Sequence, residues 1–282
     1  MSRRTAQQIP WKAAGRVSEQ LDSGDEVVRS TGWVFNNVGG RDLTLAEFVA
    51  TGDDEVPAYL EQFGLRGPQT RQQTLLEIGS GIGRMTCAFT REFGAVIACD
   101  LDQGFLERCY ETVGRFGEVA RLRTLEVADG RSLNIAAATA DVAFSYITLQ
   151  HASHDDALDL AAEAVRVVKP GGTIALNFRG PLGSDAVLVP AGKLVRASYR
   201  IPGVGVWATR RRALTRLAWQ VSRIHPDEVT GPLGPRLTDV RVWTNPSSKL
   251  SAYGAEIRTF EGVNPAHWWL VARVVGEAPP TA

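Results

Sequence analysis

The sequence predicts an α/β fold, an open parallel sheet with helices on both faces, and three observations carry that expectation. From Thr74 onward short apolar runs alternate with stretches of helical periodicity. The first run, Thr74-Leu75-Leu76-Glu77-Ile78, leads into a glycine-rich turn, after which Met85, Phe89 and Phe93 recur at helical spacing. A chain of 282 residues, 44% hydrophobic and 22% charged, can also bury a core large enough for one α/β domain or one domain with a subdomain.

Taken in order, "AEFVATGDDEVPAYLEQFGL" is a helical pattern with acidic residues at its start, joined by the polar linker "RGPQTRQQ" to the first strand. Beyond the glycine turn and its helix come the strand "AVIACD" and a helix with Phe105, Leu106, Cys109 and Val113 on one face. "LRTLEVADG" then holds a third strand and "DVAFSYI" a fourth. The segment from Asp155 to Val168 forms a helix, and "GGTIALNF" a fifth strand. Ser153 and Asp156 have the spacing of a capping box, and Leu158, Ala161, Ala162, Val165 and Val168 share a face of the helix they start.

Composition narrows the partners. Lys+Arg and Asp+Glu are equal at 31 each, so the overall charge gives no reason to expect nucleic acid. Cys87, Cys99 and Cys109 lie in apolar or helical patterns without metal-ligand spacing and read as reduced, buried core thiols. The basic amino end has no apolar stretch behind it, so neither a signal peptide nor a membrane anchor is read there, and the expected location is the cytoplasm. His154 falls in an exposed first helical turn, His225 in a loop before a proline and a capping aspartate, and His267 beside Trp268 and Trp269 where a strand begins. Histidines scattered in this way make no metal site, and metal-independent chemistry is expected.

The glycine turn identifies a ligand class. In the dinucleotide fingerprint G-x-G-x-x-G the third glycine packs helix on strand; here Gly79, Gly81 and Gly83 are followed by Arg84 where that glycine would fall. Asp100 arrives about 20 residues after the turn, where a carboxylate can accept hydrogen bonds from ribose hydroxyls. Glu77 would repel a pyrophosphate but attract a cationic ligand. A ribose with cationic groups points to S-adenosylmethionine, and Arg84 with Glu77 argues against an NAD oxidoreductase.

Residues 74 to about 178 resemble the core of the class I S-adenosylmethionine-dependent methyltransferases. "EIGSGIG" resembles the family's first motif, Asp100 its ribose-binding acid, "VADG" the loop whose Asp129 meets the adenine amino group, and "RVVKPGGTIAL" its turn into the fifth strand. The resemblance implies a Rossmann-like doubly wound sheet of seven strands, the last antiparallel, with "TDVRVWT" and "HWWLVARVV" as the sixth and seventh. On this view residues 1–70 are an N-terminal helical segment, 71–275 the cofactor-binding domain, 180–224 a helical lid inserted after the fifth strand, and 276–282 a tail. The implied cofactor site comprises Glu77, Gly79, Ser80, Gly81, Gly83 and Arg84 around the turn, Asp100 with Leu101, Asp129 with Gly130, and Tyr146.

The methyl acceptor is less legible. Methyl transfer needs little beyond alignment, so no catalytic residue is strictly required. A hydroxyl acceptor benefits from a base, for which His151 is the candidate: it lies just past the fourth strand, at the sheet edge where ligands gather, and matches a histidine frequent in the family. The alternative is a residue that shapes the cofactor pocket. The family's Asn-Pro-Pro-Tyr-like run for amines of bases or glutamine is absent, "SYITLQ" standing in its place, which disfavours macromolecular substrates. The expected acceptor is a small molecule, a sugar, polyketide or lipid-like hydroxyl, with a small amine or a non-catalytic cofactor-binding protein as alternatives. The lid mixes eight Lys and Arg residues with aromatic and apolar ones and has only Asp185 opposing them. It suits an anionic acceptor, an acyl chain or an anionic membrane surface, or else is a solvated face balancing the acidic amino-terminal third.

Overall fold

A computed structural model of the chain describes residues 20–31, 43–209, 211–219 and 221–275. The tail expected at 276–282 and much of the N-terminal segment lie outside these residues. The described part of that segment is helical, with α1 at Gly24–Thr31 and α2 at Leu45–Gln62. Thr44 caps α2 in a capping box: its side chain accepts from the Glu47 N–H, and its own N–H donates to Glu47 Oε2 at 2.8 Å.

Eight strands form one mixed sheet. They are β1 (Thr74–Ile78), β2 (Ala95–Asp100), β3 (Leu122–Glu126), β4 (Ala140–Ser145), β5 (Val168–Arg179), β6 (Leu237–Thr244), β7 (Glu256–Thr259) and β8 (His267–Val274). Their order across the sheet is β3-β2-β1-β4-β5-β8-β6-β7. The first five run parallel, and β8 inserts antiparallel between β5 and β6, as expected for the last strand. The seven-strand expectation needs one correction, because β7 pairs in parallel with the outer edge of β6. All four of its residues, Glu-Ile-Arg-Thr, are exposed, so no burial pattern marks the strand in the sequence.

Helices cover both faces, and alternation along β1 assigns them. Leu76 and Ile78 face α5 (His154–Val167) and α9 (Pro226–Leu233) in one core cluster. Leu75 faces the other way, with Val96 and Phe144, toward α2 and α3 (Thr86–Glu92). A third cluster joins α1, the start of α2 and α4 (Gln103–Phe116) to the inserted helices through Tyr199, Ala208 and Trp219. Cys87, Cys99 and Cys109 are free and buried within these cores. Asp102 caps α4 and Ser153 caps α5. His225 is itself the N-cap of α9, accepting from the Asp227 N–H; the cap had been assigned to the aspartate. His154 is exposed, as expected, and its Nε2 donates to Glu228 at 2.7 Å.

The lid expected after β5 is helical: α6 at Asp185–Ser198, α7 at Val204–Thr209 and α8 at Arg212–Trp219. Residue 210 and the side chains of Arg212 and Arg216 lie outside the description. No described helix is long and apolar enough to cross a membrane. Where the chain returns from the lid, Trp268 of β8 stacks on Phe178 of β5 at 4.6 Å, and its Nε1 donates to the Ile224 carbonyl at 2.9 Å. Trp268 is fully buried, so Trp268→Ala should cost about 3–5 kcal/mol, read as a lowered denaturation midpoint with an unchanged slope.

Candidate active site

The carboxyl ends of β1, β2 and β4 open into a cavity of about 1060 Å³ that communicates with solvent. Its floor is the glycine turn. The N–H groups of Gly79 and Ser80 both donate to the Cys99 carbonyl at the end of β2, at 2.7 and 3.0 Å. Gly79, Gly81 and Gly83 all have positive φ, which side chains disfavour. At Gly79 a Cβ would also meet the Thr148 hydroxyl at 2.0 Å, so the backbone comes close to the loop after β4 only because this residue has no side chain.

Two carboxylates face this floor, the buried Glu77 and the half-buried Asp100. Asp100 Oδ2 accepts from the Gly81 N–H at 2.8 Å, and its Oδ1 from the Asp102 N–H at 3.3 Å. Glu77 Oε2 accepts from the Thr86 hydroxyl at 2.7 Å. Burial pushes Glu77 up to about 7 and Asp100 up to about 6, since charged forms lose hydration there. Neither makes an ion pair with a described basic side chain; Arg84, the nearby cation, is committed to Glu55 of α2 at 3.0 Å. Arg84 therefore acts as a strut between the glycine turn and the N-terminal helices. Gly52 of α2 permits that approach, since a Cβ there would lie 2.2 Å from the Arg84 carbonyl.

Most residues expected in the cofactor site line this cavity: Glu77, Gly79, Ser80, Gly81 and Arg84 from the turn, Asp100 and Leu101 from β2, and Gly130, Tyr146 and His151 beyond. Gly83 and Asp129 are not among its lining residues. Gly83 packs on Cys109 of α4. Asp129 is half exposed and accepts from the N–H groups of Arg131 and Ser132 at 3.0 and 2.9 Å, which makes it the support of its own turn. The walls also contain Ile147, Thr148, Val127, Asp156 and Leu160, none of which the sequence had singled out for this role. Ser153 and Asp156 had been read only as a helix cap. Thr148 and Ile147 lie in the same "SYITLQ" run as Tyr146, and that proximity was the available signal.

Ile147 has φ 55°, a strained value for a β-branched residue. Its N–H donates to Asn177 Oδ1 at 3.3 Å, and the Asn177 side chain is held in turn by His267 Nδ1 at 3.1 Å and the Trp268 carbonyl at 3.2 Å. Buried groups on β5 and β8 thus fix the loop at the cavity edge. His151 is also buried. Its Nδ1–H donates to the Trp219 carbonyl of α8 at 2.6 Å, while Gln150 Nε2 approaches its Nε2 at 3.4 Å. Burial first, then the Arg179 charge, lowers its pKa to about 4; burial, Arg179 and His151 lower that of His267 to about 3.

A second cavity, of about 970 Å³, meets the first at Tyr146. Tyr59, Tyr146 and Phe260 form aromatic walls, and Asp54, Glu55 and Glu261 add carboxylates. Tyr146 is braced there by Trp269, stacked 5.4 Å away at 7°.

Residues 76–176 match the family model described as a methyltransferase domain. Over those residues the chain is similar to methyltransferases. It is 32% identical over 112 residues to phosphoethanolamine N-methyltransferase 1 of Triticum aestivum, covering 39% of this chain and 22% of that protein. It is 29% identical over 168 residues to the ubiquinone/menaquinone biosynthesis C-methyltransferase UbiE of Klebsiella pneumoniae, covering 57% and 63%. The chain thus spans less than two thirds of these relatives. The fold is also that of a chain in the complex between the Haloferax volcanii Trm112 methyltransferase activator and its methyltransferase partner, with TM-score 0.50, 12% identity and coverage of 83% and 97%.

The donor set fits S-adenosylmethionine. Buried Glu77, with no cation ion-paired to it among the described residues, suits its positive groups, and the Asp100 oxygens keep lone pairs for ribose hydroxyls beyond those the backbone occupies. The same burial has a measurable cost. Because the folded-state pKa of Glu77 is raised above its ordinary 4.5, its stabilising contribution is present at low pH and is lost as pH rises through about 7. Glu77→Gln should therefore raise the unfolding free energy of the ligand-free protein at pH 8 by about 2–3 kcal/mol and leave it nearly unchanged at pH 4.5. Chemical denaturation at the two pH values checks this.

Proposed function

We propose that the protein transfers a methyl group from S-adenosylmethionine to a small-molecule acceptor. The observation that carries this reading is the pair of carboxylates, buried Glu77 and half-buried Asp100, set against a glycine turn with no basic side chain among the described residues ion-paired to them. When bound, the cofactor supplies an electrophilic methyl group on a cationic sulfonium. The protein's part is placement. Asp100 takes the ribose hydroxyls, Glu77 the positive end of the amino-acid portion, and Gly79 and Gly81 let the ligand lie against the main chain. Tyr146, shared by the two cavities, stands where cofactor and acceptor meet.

For the acceptor, a hydroxyl of a sugar, polyketide or lipid-like compound is the first reading, with His151 as its base. The imidazole is neutral at physiological pH, and with Nδ1–H bonded to the Trp219 carbonyl, Nε2 is the atom that would take the proton, in place of its 3.4 Å contact with Gln150 Nε2. An amine acceptor is the second reading, favoured by the aromatic and carboxylate walls of the adjoining cavity, which suit an organic cation. One relative is named as a phosphoethanolamine N-methyltransferase.

Incubation with methyl-labelled S-adenosylmethionine and a panel of hydroxyl, amine and lipid acceptors tests the proposal. Label should pass to a small molecule; cofactor binding with no transfer to any acceptor would leave a binding protein instead. If His151 is the base, His151→Ala should lower kcat by roughly 10²–10⁴ with cofactor affinity nearly intact. With its pKa near 4, the wild-type kcat at saturating cofactor should stay level from pH 8 to about 5.5 and fall only as pH approaches 4. For an amine acceptor the rate should follow the amine's own titration, and the substitution should act through geometry alone.

A further inference from the structure

We infer that the outer face of the inserted helices α6 and α7 is a docking surface for an anionic phospholipid bilayer. The inference is independent of methyl transfer and is read without turnover.

α6 leaves much of its apolar surface in solvent. Its inward side mixes Val195 and the half-buried Leu188 and Val189 with small and polar groups. Gly192 packs on the Leu217 carbonyl, which a Cβ would approach to 2.4 Å, and Arg196 Nη1 donates to the Ala218 carbonyl at 3.1 Å. Asp185 pairs with Arg179 at 3.3 Å and Arg223 at 2.9 Å. The solvent side is apolar: Val187 is 72% and Leu194 75% exposed, seven residues apart on one stripe, with Ala186, Pro190 and Ala197 exposed on the same side. Beyond the helix, Ile201 at 58% and Trp207 at 53% exposure extend the apolar surface. Five of the eight large hydrophobic side chains exposed among the described residues fall between Leu182 and Trp207, so this is a patch and not the usual scatter.

Charge identifies the occupant. Lys193, Arg200 and Arg211 are exposed around the apolar residues, and the Arg211 guanidinium lies 5.4 Å from the Trp207 ring. The one carboxylate between residues 180 and 224 is Asp185, which is turned inward against its two arginines. A cationic face carrying exposed aliphatic residues and a tryptophan matches a negatively charged interface with an apolar layer just beneath it. A second copy of the chain fits less well, because a twofold contact through this patch would bring like charges together. Docking by this face would be peripheral, with the helices lying in the plane of the interface. Through the bond from His151 to the Trp219 carbonyl, the docked segment is fastened to the rim of the cofactor cavity.

Sedimentation of the full chain with vesicles tests the inference, using phosphatidylcholine alone and phosphatidylcholine mixed with phosphatidylglycerol. The protein should bind the mixed vesicles, bind the neutral ones far less, and be released at roughly 0.5 M salt. Lys193→Gln, Arg200→Gln and Arg211→Gln should each weaken binding roughly fivefold, and Val187→Asp combined with Leu194→Asp by about tenfold or more. The charge substitutions sit on an exposed face, so melting temperatures should stay at the wild-type value. The inference fails if the mixed vesicles are not bound, or if these substitutions leave binding unchanged. It also fails if light scattering shows a dimer that Leu194→Asp dissociates, which gives the face to a second copy. A loss of folding stability in the aspartate variants overturns it as well, because the face would then be covered by the chain itself.

Discussion

The end of β2 holds the glycine turn in place, and the rest of the site is arranged around that junction. The Cys99 carbonyl takes the N–H groups of Gly79 and Ser80, and the Asp100 carboxylate takes that of Gly81. Three consecutive backbone donors of the turn are therefore satisfied by two consecutive residues of the neighbouring strand. That arrangement keeps Glu77 buried and Asp100 half-buried beside a main chain stripped of side chains. Unpaired burial is unfavourable for both carboxylates, and a cationic ligand relieves it. Under the proposed function, that unfavourable burial is what would select a cationic ligand.

Two segments outside the minimal core are tied to the same cavity by a few polar contacts. The N-terminal helices are joined to it through Arg84 and Glu55, with Gly52 allowing close approach. The insert is joined through the imidazole of His151 and the Trp219 carbonyl, backed by donation from Val221 and Ser222 N–H groups to the Gln150 carbonyl. Arg84 and His151 each stand at a position that sequence reasoning had given to the cofactor or the chemistry. Both line the cavity, and both also hold an enclosing segment, so their loss would change the shape of the site as well as its contacts.

What the sequence made legible is what depends on local rules. The parallel strands, the glycine turn, the acid at the end of β2 and the cap at Ser153 each follow from spacing or residue type over a few positions. Features set by distant partners stayed hidden. The strand β7 exists because β6 offers an open edge, and its own four residues carry no pattern. The strained Ile147 depends on Asn177 and His267, 30 and 120 positions away in the chain, and nothing near Ile147 announces them. Asp129 was placed in the site by motif, whereas its side chain satisfies its own turn. The basic and aromatic character of the insert was plain, yet which side of α6 faces solvent was not, because apolar residues lie on both sides and polar ones are turned inward.

The central claim is that Glu77 awaits a positive charge and Asp100 a pair of hydroxyl donors. Isothermal calorimetry of S-adenosylmethionine binding near pH 6.5, repeated in buffers of different ionisation enthalpy, counts the protons exchanged on binding. Glu77, held up near 7, and Asp100, held up near 6, are partly protonated there, and a cation beside Glu77 with hydroxyl donors at Asp100 favours the charged forms. The account predicts net proton release, with affinity rising from pH 5.5 to pH 8. Proton uptake, or an affinity that does not change over this range, would contradict it.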